Sequence, residues 1–195
     1  CFLYGNAIAD HERMVENVLY AKLVAANCRW FDFGGCVFSE RNMYGRDKRD
    51  GLSKEGSGRV AVFKMSGLTH VYTLECNYNM GRVVNRIQPP HVPPGLNKAR
   101  LSPPPPPLRT NSPKYTPESW RAVGRALAVA ALDVVGANPC SRLGAGGAGG
   151  FARLRSSVTA WVRSHVKREQ KRAARRAAAG LDGSEDDDDD DEGDG

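Results

Sequence analysis

The sequence lacks any long apolar run. No stretch approaches the roughly 20 apolar residues that a membrane-spanning helix needs. No positively charged segment is followed by the apolar core of a secretory signal. From these absences we expect a soluble intracellular protein.

Cysteines are few and irregularly spaced. The five thiols stand at positions 1, 28, 36, 76 and 140, an odd number with no Cys-x-x-Cys pair among them. This pattern argues against a disulfide framework and against a zinc ribbon. We expect reduced thiols in the cytosol.

Acidic residues are scarce in most of the chain. Ten of the 22 stand in residues 182–195, so residues 1–181 hold 28 basic residues against 12 acidic ones, a net charge of +16. A body this positive favours acidic partners, whether nucleic acid, an anionic membrane surface or a glutamate-rich polypeptide. Charge alone does not choose among them.

Two helices are predicted from periodicity and caps. Apolar residues recur on one side of segment 10–27, which Asp10 is placed to cap. A second helix should start after Thr116, where a capping residue, a proline and an acid follow one another, and should end near Gly136. We expect the first helix to lie against a sheet.

Three short strands are predicted. Segment 31–38 is aromatic and contains two glycines, which favours a strand with a bulge. Segments 59–65 and 69–76 resemble the arms of a hairpin, and the polar stretch 39–58 resembles a long loop. The predicted fold class is therefore α/β, a mixed sheet with covering helices and a disordered tail.

The predicted organisation is one domain with appendages. Residues 1–138 form the globular part, with a proline-rich insertion at 85–114. A glycine-rich linker at 139–150, a basic helix at 151–179 and an acidic disordered tail at 180–195 should follow.

Glu75 is the most informative single residue. It stands at the exit of an apolar, alternating segment that predicts a buried strand. A carboxylate in such a place is costly unless something uses it. A catalytic acid and a salt-bridged structural acid are both compatible with this position.

Several motifs in order carry a family resemblance. The segments are 2–6 (FLYGN), 17–20 (NVLY), 38–44 (FSERNMY), 54–59 (KEGSGR) and 72–79 (YTLECNYN). Together they resemble the C-terminal part of the catalytic domain of the cytosolic carboxypeptidases, which belong to the zinc metallocarboxypeptidases. The resemblance implies a carboxypeptidase-like fold and removal of C-terminal or branch-point glutamates from tubulin.

By this resemblance Glu75 takes the place of the catalytic glutamate. It would accept a proton from a zinc-bound water and deliver it to the departing amine. Arg59 stands close to the implied specificity position, where a fixed cation would pair with the substrate glutamate. Lys54 and Arg49 could supply further cations, and Tyr44 could position the substrate terminus, although solvated loop charges are the plain alternative for Lys54 and Arg49.

The metal site departs from the family pattern. The family holds zinc with a His-x-x-Glu motif and a later histidine, whereas His11, His70, His91 and His165 are scattered and no such motif occurs. The resemblance therefore implies that the zinc ligands lie before Cys1, outside this chain. We expect the chain by itself to be inactive and the full-length protein to be active.

The implied partner is polyglutamylated tubulin or microtubules rather than a membrane, and the implied location is cytoplasmic. The basic segment 167–176 also resembles a nuclear-localisation or nucleic-acid patch, which adds a nuclear location. A nucleic-acid-binding or scaffold protein without catalysis is the alternative, although nucleic acid is not the partner that the resemblance implies.

Overall fold

The architecture combines helices with one small sheet. The computed structural model describes residues 1–46, 51, 53–82, 85–97, 113–143 and 148–178. The elements are β1 Phe2–Tyr4, α1 His11–Asn27, α2 Glu40–Tyr44, a 3₁₀ helix Lys54–Gly56, α3 Gly58–Ser66, β2 Thr73–Glu75, α4 Pro117–Val134 and α5 Ala148–Ala178. A mixture of helix and sheet is thus confirmed, and the larger carboxypeptidase-like sheet stays a prediction.

Contacts divide the chain into two units, Cys1–Val162 and Arg163–Gly195. In the second unit the described residues form the end of α5, where Arg172 and Glu169 make an ion pair at 3.6 Å. Helix α5 starts three residues earlier than predicted and so takes in the end of the glycine-rich linker. Residues 144–147 and the acidic tail lie outside the described residues.

The core forms around α1. Its N-cap Asp10 accepts a hydrogen bond from the Arg13 amide at 2.8 Å, as the sequence predicts. Eight of its residues are buried: Met14, Val15, Asn17, Val18, Leu19, Ala21, Leu23 and Val24. Each large apolar side chain among them contributes about 1.5–3 kcal/mol on burial, so α1 is the centre of the first unit.

Helix α4 packs on α1. The Thr116 hydroxyl caps its first turn in a reciprocal arrangement with Ser119, and Pro117 occupies the first helical position. The Tyr20 hydroxyl donates to the Leu127 carbonyl oxygen at 3.0 Å. The predicted helix is confirmed, and Gly136, with a φ of 66°, stands just beyond its end.

The predicted hairpin is wrong. Residues 58–66 form the helix α3, in which Val60 is fully buried and Phe63 partly buried, three positions apart on one face. A short apolar run fits either period, and the left-handed Gly67 after Ser66 ends the helix. Of the second predicted strand only Thr73–Glu75 is a strand, and it pairs with β1 instead.

Two further segments differ from prediction. Residues 31–38 form no strand, because the Asp32 carboxylate accepts from the Gly35 amide and turns the chain. Only Val37 makes a single bridge, to Tyr4. The predicted loop 39–58 contains α2, capped by Ser39, as well as the 3₁₀ helix.

The proline-rich insertion, where it is described, lacks helices and strands, and the cysteines form no disulfide. The described parts of the proline-rich insertion, 85–97 and 113–114, contain no helix or strand apart from one bridge at Lys114. All five cysteines are free thiols. None of the helices in the described ranges combines the length and apolar character that crossing a bilayer requires.

Candidate functional site

The candidate site starts from the pairing of β1 with β2. The two strands are antiparallel, with Phe2 opposite Glu75 and Tyr4 opposite Thr73. Directly opposed residues share a face of the sheet, and alternate residues of one strand share it too. The side chains of Phe2, Tyr4, Thr73 and Glu75 therefore lie on one face, while Leu3 packs into the core on the other.

Glu75 ends β2, as the sequence predicts, but it is exposed. The expectation of a buried strand is wrong, because β2 is short and only Thr73 within it is partly buried. No hydrogen bond or ion pair joins the Glu75 carboxylate to another residue of the described ranges. A burial cost therefore does not single out Glu75.

Arg59 is the second candidate and it is buried, with 6% of its surface exposed. Its Nη1 donates to the Gly5 carbonyl oxygen and, at 2.8 Å, to the Asn6 side-chain oxygen. Its Nη2 donates to the Asn42 backbone oxygen at 3.3 Å and the Asn42 side-chain oxygen at 2.8 Å. The guanidinium thus joins the end of β1 to α2 and α3.

The partners of Arg59 are neutral oxygens, so its positive charge is not balanced by a carboxylate contact. Burial lowers the pKa of the Arg59 guanidinium from its ordinary value, and the nearby Tyr4 phenol acts in the opposite direction. A guanidinium has five N–H donors. Four are directed at Gly5, Asn6 and Asn42, which leaves the Nε–H for any ligand.

The other three predicted residues have different surroundings. Tyr44 is 46% exposed, and the Lys64 ammonium lies 4.9 Å from its ring centroid. Lys54 is half-buried, and its backbone amide donates to the Gly45 carbonyl oxygen at 2.9 Å. Arg49 lies outside the described residues.

The interaction of Lys64 with Tyr44 and Glu55 was not predicted from the sequence. Lys64 makes an ion pair with Glu55 at 2.5 Å, and that hydrogen bond raises the Lys64 pKa from its ordinary value. The contact was missed because segment 59–65 was predicted as a strand, whereas it belongs to helix α3, which brings Lys64 to the 3₁₀ helix. As a strand residue, Lys64 would have been assigned to a solvated face.

Asn6 was also missed. It is fully buried; its backbone oxygen accepts from the Asn17 amide at 2.7 Å and its own side-chain amide donates to the Val71 carbonyl oxygen at 3.3 Å. With Arg59 on its side-chain oxygen, Asn6 fixes α1, α3 and the approach to β2 around the end of β1. Because these partners are not neighbours of Asn6 in the sequence, no local sequence pattern predicts the contacts.

The described residues do not fit a zinc ion. No group of three or more His, Cys, Asp or Glu side chains within the described ranges lies close enough to hold a metal. The candidate residues that the structure describes, Glu75, Arg59, Lys54 and Tyr44, include one carboxylate and no histidine or cysteine, whereas zinc is held by Cys, His and carboxylate ligands.

Comparison with known proteins identifies the class. No protein-family model matches the chain. Over 164 residues, 84% of its length, the chain is 56% identical to a curated protein of Danio rerio, and over 170 residues, 87% of its length, it is 50% identical to one of Homo sapiens. The chain belongs to the cytosolic carboxypeptidase-like proteins.

The relatives are named cytosolic carboxypeptidase-like protein 5, and the Rattus norvegicus protein of that name is 51% identical over 170 residues. The chain spans only 18–19% of the length of these relatives. What they share with this chain therefore concerns one segment of a longer protein.

Proposed function

We propose that this chain supplies the catalytic carboxylate and a glutamate-recognising cation to a carboxypeptidase. The enzyme would remove C-terminal or branch-point glutamates from polyglutamylated tubulin by hydrolysis. The observation that carries the proposal is Glu75 itself: within a segment that is half identical to the relatives, it is an exposed and uncommitted carboxylate at the end of β2.

Glu75 would act by moving a proton. Its carboxylate accepts the proton of the attacking water as the peptide carbonyl is attacked, and the same oxygen returns the proton to the departing amine. Exposure at the end of a strand lets a folded substrate present its tail to the carboxylate. The zinc ion implied by the family resemblance would be held by residues outside this chain.

Arg59 would select glutamate by charge. The four oriented bonds to Gly5, Asn6 and Asn42 hold the guanidinium in one place without neutralising it. A desolvated glutamate carboxylate needs such a fixed cation, and a charge-assisted hydrogen bond contributes about 1.5–3 kcal/mol. Contact would be made through the Nε–H. Lys54 and Tyr44 would line the approach of the acidic tail, and Arg49, which lies outside the described residues, would add a further cation.

The test is Glu75→Gln in the full-length polypeptide that contains this chain. We expect glutamate release from a glutamate-tailed peptide, followed by mass spectrometry, to fall by about a hundred- to ten-thousandfold, because the proton acceptor is gone. Binding of the peptide should persist. Glu12→Gln, an exposed carboxylate of α1 that pairs with Arg155, is the control and should keep the parent rate. Unchanged release by Glu75→Gln would refute the proposal.

A location in the cytoplasm is part of the proposal, since the relatives are named cytosolic. Those names give no support to a nuclear location. Association with microtubules is likewise proposed, and co-sedimentation with glutamylated and with enzymatically trimmed microtubules would test it. Equal co-sedimentation with both would contradict recognition of glutamate tails.

One observation favours the alternative of nucleic-acid binding. The part of α5 after Val162 exposes seven basic residues, at positions 163, 167, 168, 171, 172, 175 and 176. Such a surface binds polyanions with an affinity that falls steeply with salt. An electrophoretic mobility shift assay with DNA or RNA at physiological salt tests this alternative. It is favoured if charge reversal at these positions abolishes the shift while Glu75→Gln leaves the shift unchanged.

A further inference from the structure

Four of the five thiols lie close together in the first unit. Cys1 and Cys28 belong to the apolar core, and Cys36 and Cys76 pack against it. Burial lowers the pKa of the Cys1 amino group, and the other three thiols are near enough to oppose that shift. The four cysteines come from separate parts of the chain, so their sequence spacing does not predict this arrangement.

Backbone hydrogen bonds show which residues of β1 bond to β2. The Leu3 amide donates to the Cys36 sulfur at 3.3 Å, and the Leu3 carbonyl oxygen accepts from the Val37 amide at 3.1 Å. The Cys1 carbonyl oxygen accepts from the Asp32 amide at 2.7 Å. These groups all point away from β2. Because hydrogen-bonded and non-hydrogen-bonded positions alternate along an antiparallel pair, Cys1 and Leu3 occupy non-hydrogen-bonded positions toward β2.

The register places Cys1 opposite Cys76. Phe2 pairs with Glu75, so the next position outward on each strand brings Cys1 against Cys76. Opposed residues at a non-hydrogen-bonded position have Cα atoms about 4.5 Å apart, and their side chains share a face of the sheet. A disulfide needs Cα atoms about 4.4–6.8 Å apart. The two strands therefore already hold these cysteines at a distance that a disulfide can bridge.

The sulfurs of the four cysteines differ in their hydrogen bonds and their exposure. The Cys36 S–H donates to a backbone carbonyl oxygen at 3.6 Å, and the Cys28 sulfur accepts from a backbone amide at 3.4 Å. Within the described residues no hydrogen bond engages the sulfur of Cys1 or of Cys76. Cys76 is partly exposed, whereas Cys1 is only 5% exposed. A dissolved oxidant therefore reaches Cys76 first.

We propose that Cys1 and Cys76 form a reversible disulfide that ties β1 to β2 one residue beyond Glu75. The oxidant is the disulfide form of a small thiol such as glutathione. The Cys76 thiolate attacks one sulfur of this oxidant, forms a mixed disulfide and expels one glutathione thiolate. The Cys1 thiolate then attacks the Cys76 sulfur and expels the second glutathione thiolate. The cysteines lose two electrons and two protons, and two glutathione thiols gain them.

The bond would fasten a short ladder at its open end. Strands β1 and β2 have three residues each, so few hydrogen bonds hold them together. Alternate residues of a strand point to opposite faces, so the bond lies on the face away from the Glu75 side chain. It therefore leaves the Glu75 carboxylate open while it fixes the point at which β2 leaves the sheet. The proposed hydrolase is not needed for this bond to form.

The experiment maps disulfides by mass. The 195-residue chain is incubated with reduced and oxidised glutathione at about pH 8.5, because burial raises the pKa of the Cys76 thiol and the thiolate is the attacking form. Remaining thiols are then alkylated and the chain is cleaved with trypsin. The five cysteines fall in different tryptic peptides, and those of Cys1 and Cys76 are 1–13 and 65–82. We expect these two peptides, linked and lighter by two hydrogen atoms, to be the main disulfide product, and dithiothreitol to separate them.

Two variants and an unfolded sample serve as controls. Cys76→Ser should abolish the linked product. Cys140→Ser, which removes a thiol outside the core, should leave its yield unchanged. The chain oxidised in guanidinium chloride should give a mixture of pairs, because no fold then selects one of them. A native product dominated by another pair, a native mixture like that of the unfolded chain, or glutathione adducts alone at Cys76 would each overturn the proposal.

Thermal melting tests whether the bond fits the folded sheet. We expect the oxidised chain to melt about 4–16 °C above the reduced chain, because a bond that closes a long loop restricts the unfolded chain. Cys76→Ser should show no such rise. The comparison of the oxidised with the reduced parent chain needs no substitution, so it does not depend on a variant that folds. An unchanged or lowered midpoint in a chain that mass shows to hold the bond would overturn the opposition of Cys1 and Cys76 across the sheet.

Discussion

The Arg59 guanidinium and the Asn42 side chain are joined by a hydrogen bond of 2.8 Å. Arg59 belongs to α3 and Asn42 to α2, and the same guanidinium also reaches the end of β1. A single buried cation therefore fixes α2, α3 and the end of β1, which lies at the end of the sheet away from Glu75.

Asn42→Ala should destabilise the chain. The change removes one acceptor from a buried guanidinium, whose unsatisfied donor costs about 1–3 kcal/mol. Urea unfolding followed by circular dichroism measures the difference. Arg41→Ala, at the exposed neighbouring position of α2, should change the unfolding free energy by less than about 0.5 kcal/mol.

Asn42→Asp separates stability from recognition. The aspartate keeps the acceptor and balances the charge of Arg59, so we expect stability close to that of the parent chain. In the full-length polypeptide the KM for a glutamate-ended peptide should rise relative to an alanine-ended one, because the cation is neutralised. An unchanged ratio of the two KM values would remove Arg59 from substrate selection.

Gly5→Ala should destabilise the chain and Gly124→Ala should stabilise it. A Cβ at Gly5 would meet the Phe38 ring at 2.4 Å, and the buried ring has little room to move. Overpacking of this kind typically costs about 1–3 kcal/mol. A Cβ at Gly124, inside α4, meets nothing within 4 Å, and alanine there gains about 0.5–1 kcal/mol.

Both glycine variants are measured by thermal melting under one condition. Shifts of the midpoint in the same direction would contradict the close approach of Gly5 to Phe38.

Stability should fall in alkali because of Cys36. Burial raises the pKa of this thiol from 9.0 to about 12. Above pH 9 the unfolded chain loses the Cys36 proton while the folded chain keeps it, so ionisation favours unfolding. Below pH 9 the Cys36 thiol does not change the free energy of unfolding. Above pH 9 its ionisation lowers that free energy by about 1.4 kcal/mol per pH unit, until the folded thiol also ionises near pH 12.

Cys36→Ala should flatten this slope when urea unfolding is compared at pH 8.5 and 10.5. Cys140→Ala serves as the thiol control, since Cys36 packs against the core and Cys140 does not. An unaltered slope in Cys36→Ala would mean that the Cys36 thiol ionises alike in the folded and the unfolded chain.

Arg155 should contribute a salt-dependent attachment of α5 to α1. Its guanidinium pairs with Glu12 at 2.8 Å and also with Glu16. Because the pairs are partly exposed, Arg155→Gln should cost only about 0.5–1 kcal/mol at low salt, and less at 1 M salt. Arg153→Gln, at an exposed position two residues earlier in α5, should cost less than half as much. Equal costs would contradict the specific pairing of Arg155.

Prediction from the sequence succeeded where the signal was local. Helices α1 and α4 were predicted from the capping residues Asp10 and Thr116, each of which caps through a residue only three positions away. The secondary structure around Arg59 was predicted wrongly, because the short apolar segment that contains it fits a strand or a helix equally well. Prediction failed again for the surroundings of Glu75, because the partner of β2 is β1, some 70 residues away.

By itself the sequence determined the order of the long helices, the charge asymmetry and the motifs that place the chain among the cytosolic carboxypeptidase-like proteins. These are properties of neighbouring residues or of composition. Only the tertiary structure decided that Glu75 is open to solvent, that Arg59 is buried on neutral oxygens and that Cys1 lies opposite Cys76. Each of these depends on contacts between residues distant in the chain, and such contacts are selected by packing of the whole domain rather than by local preference.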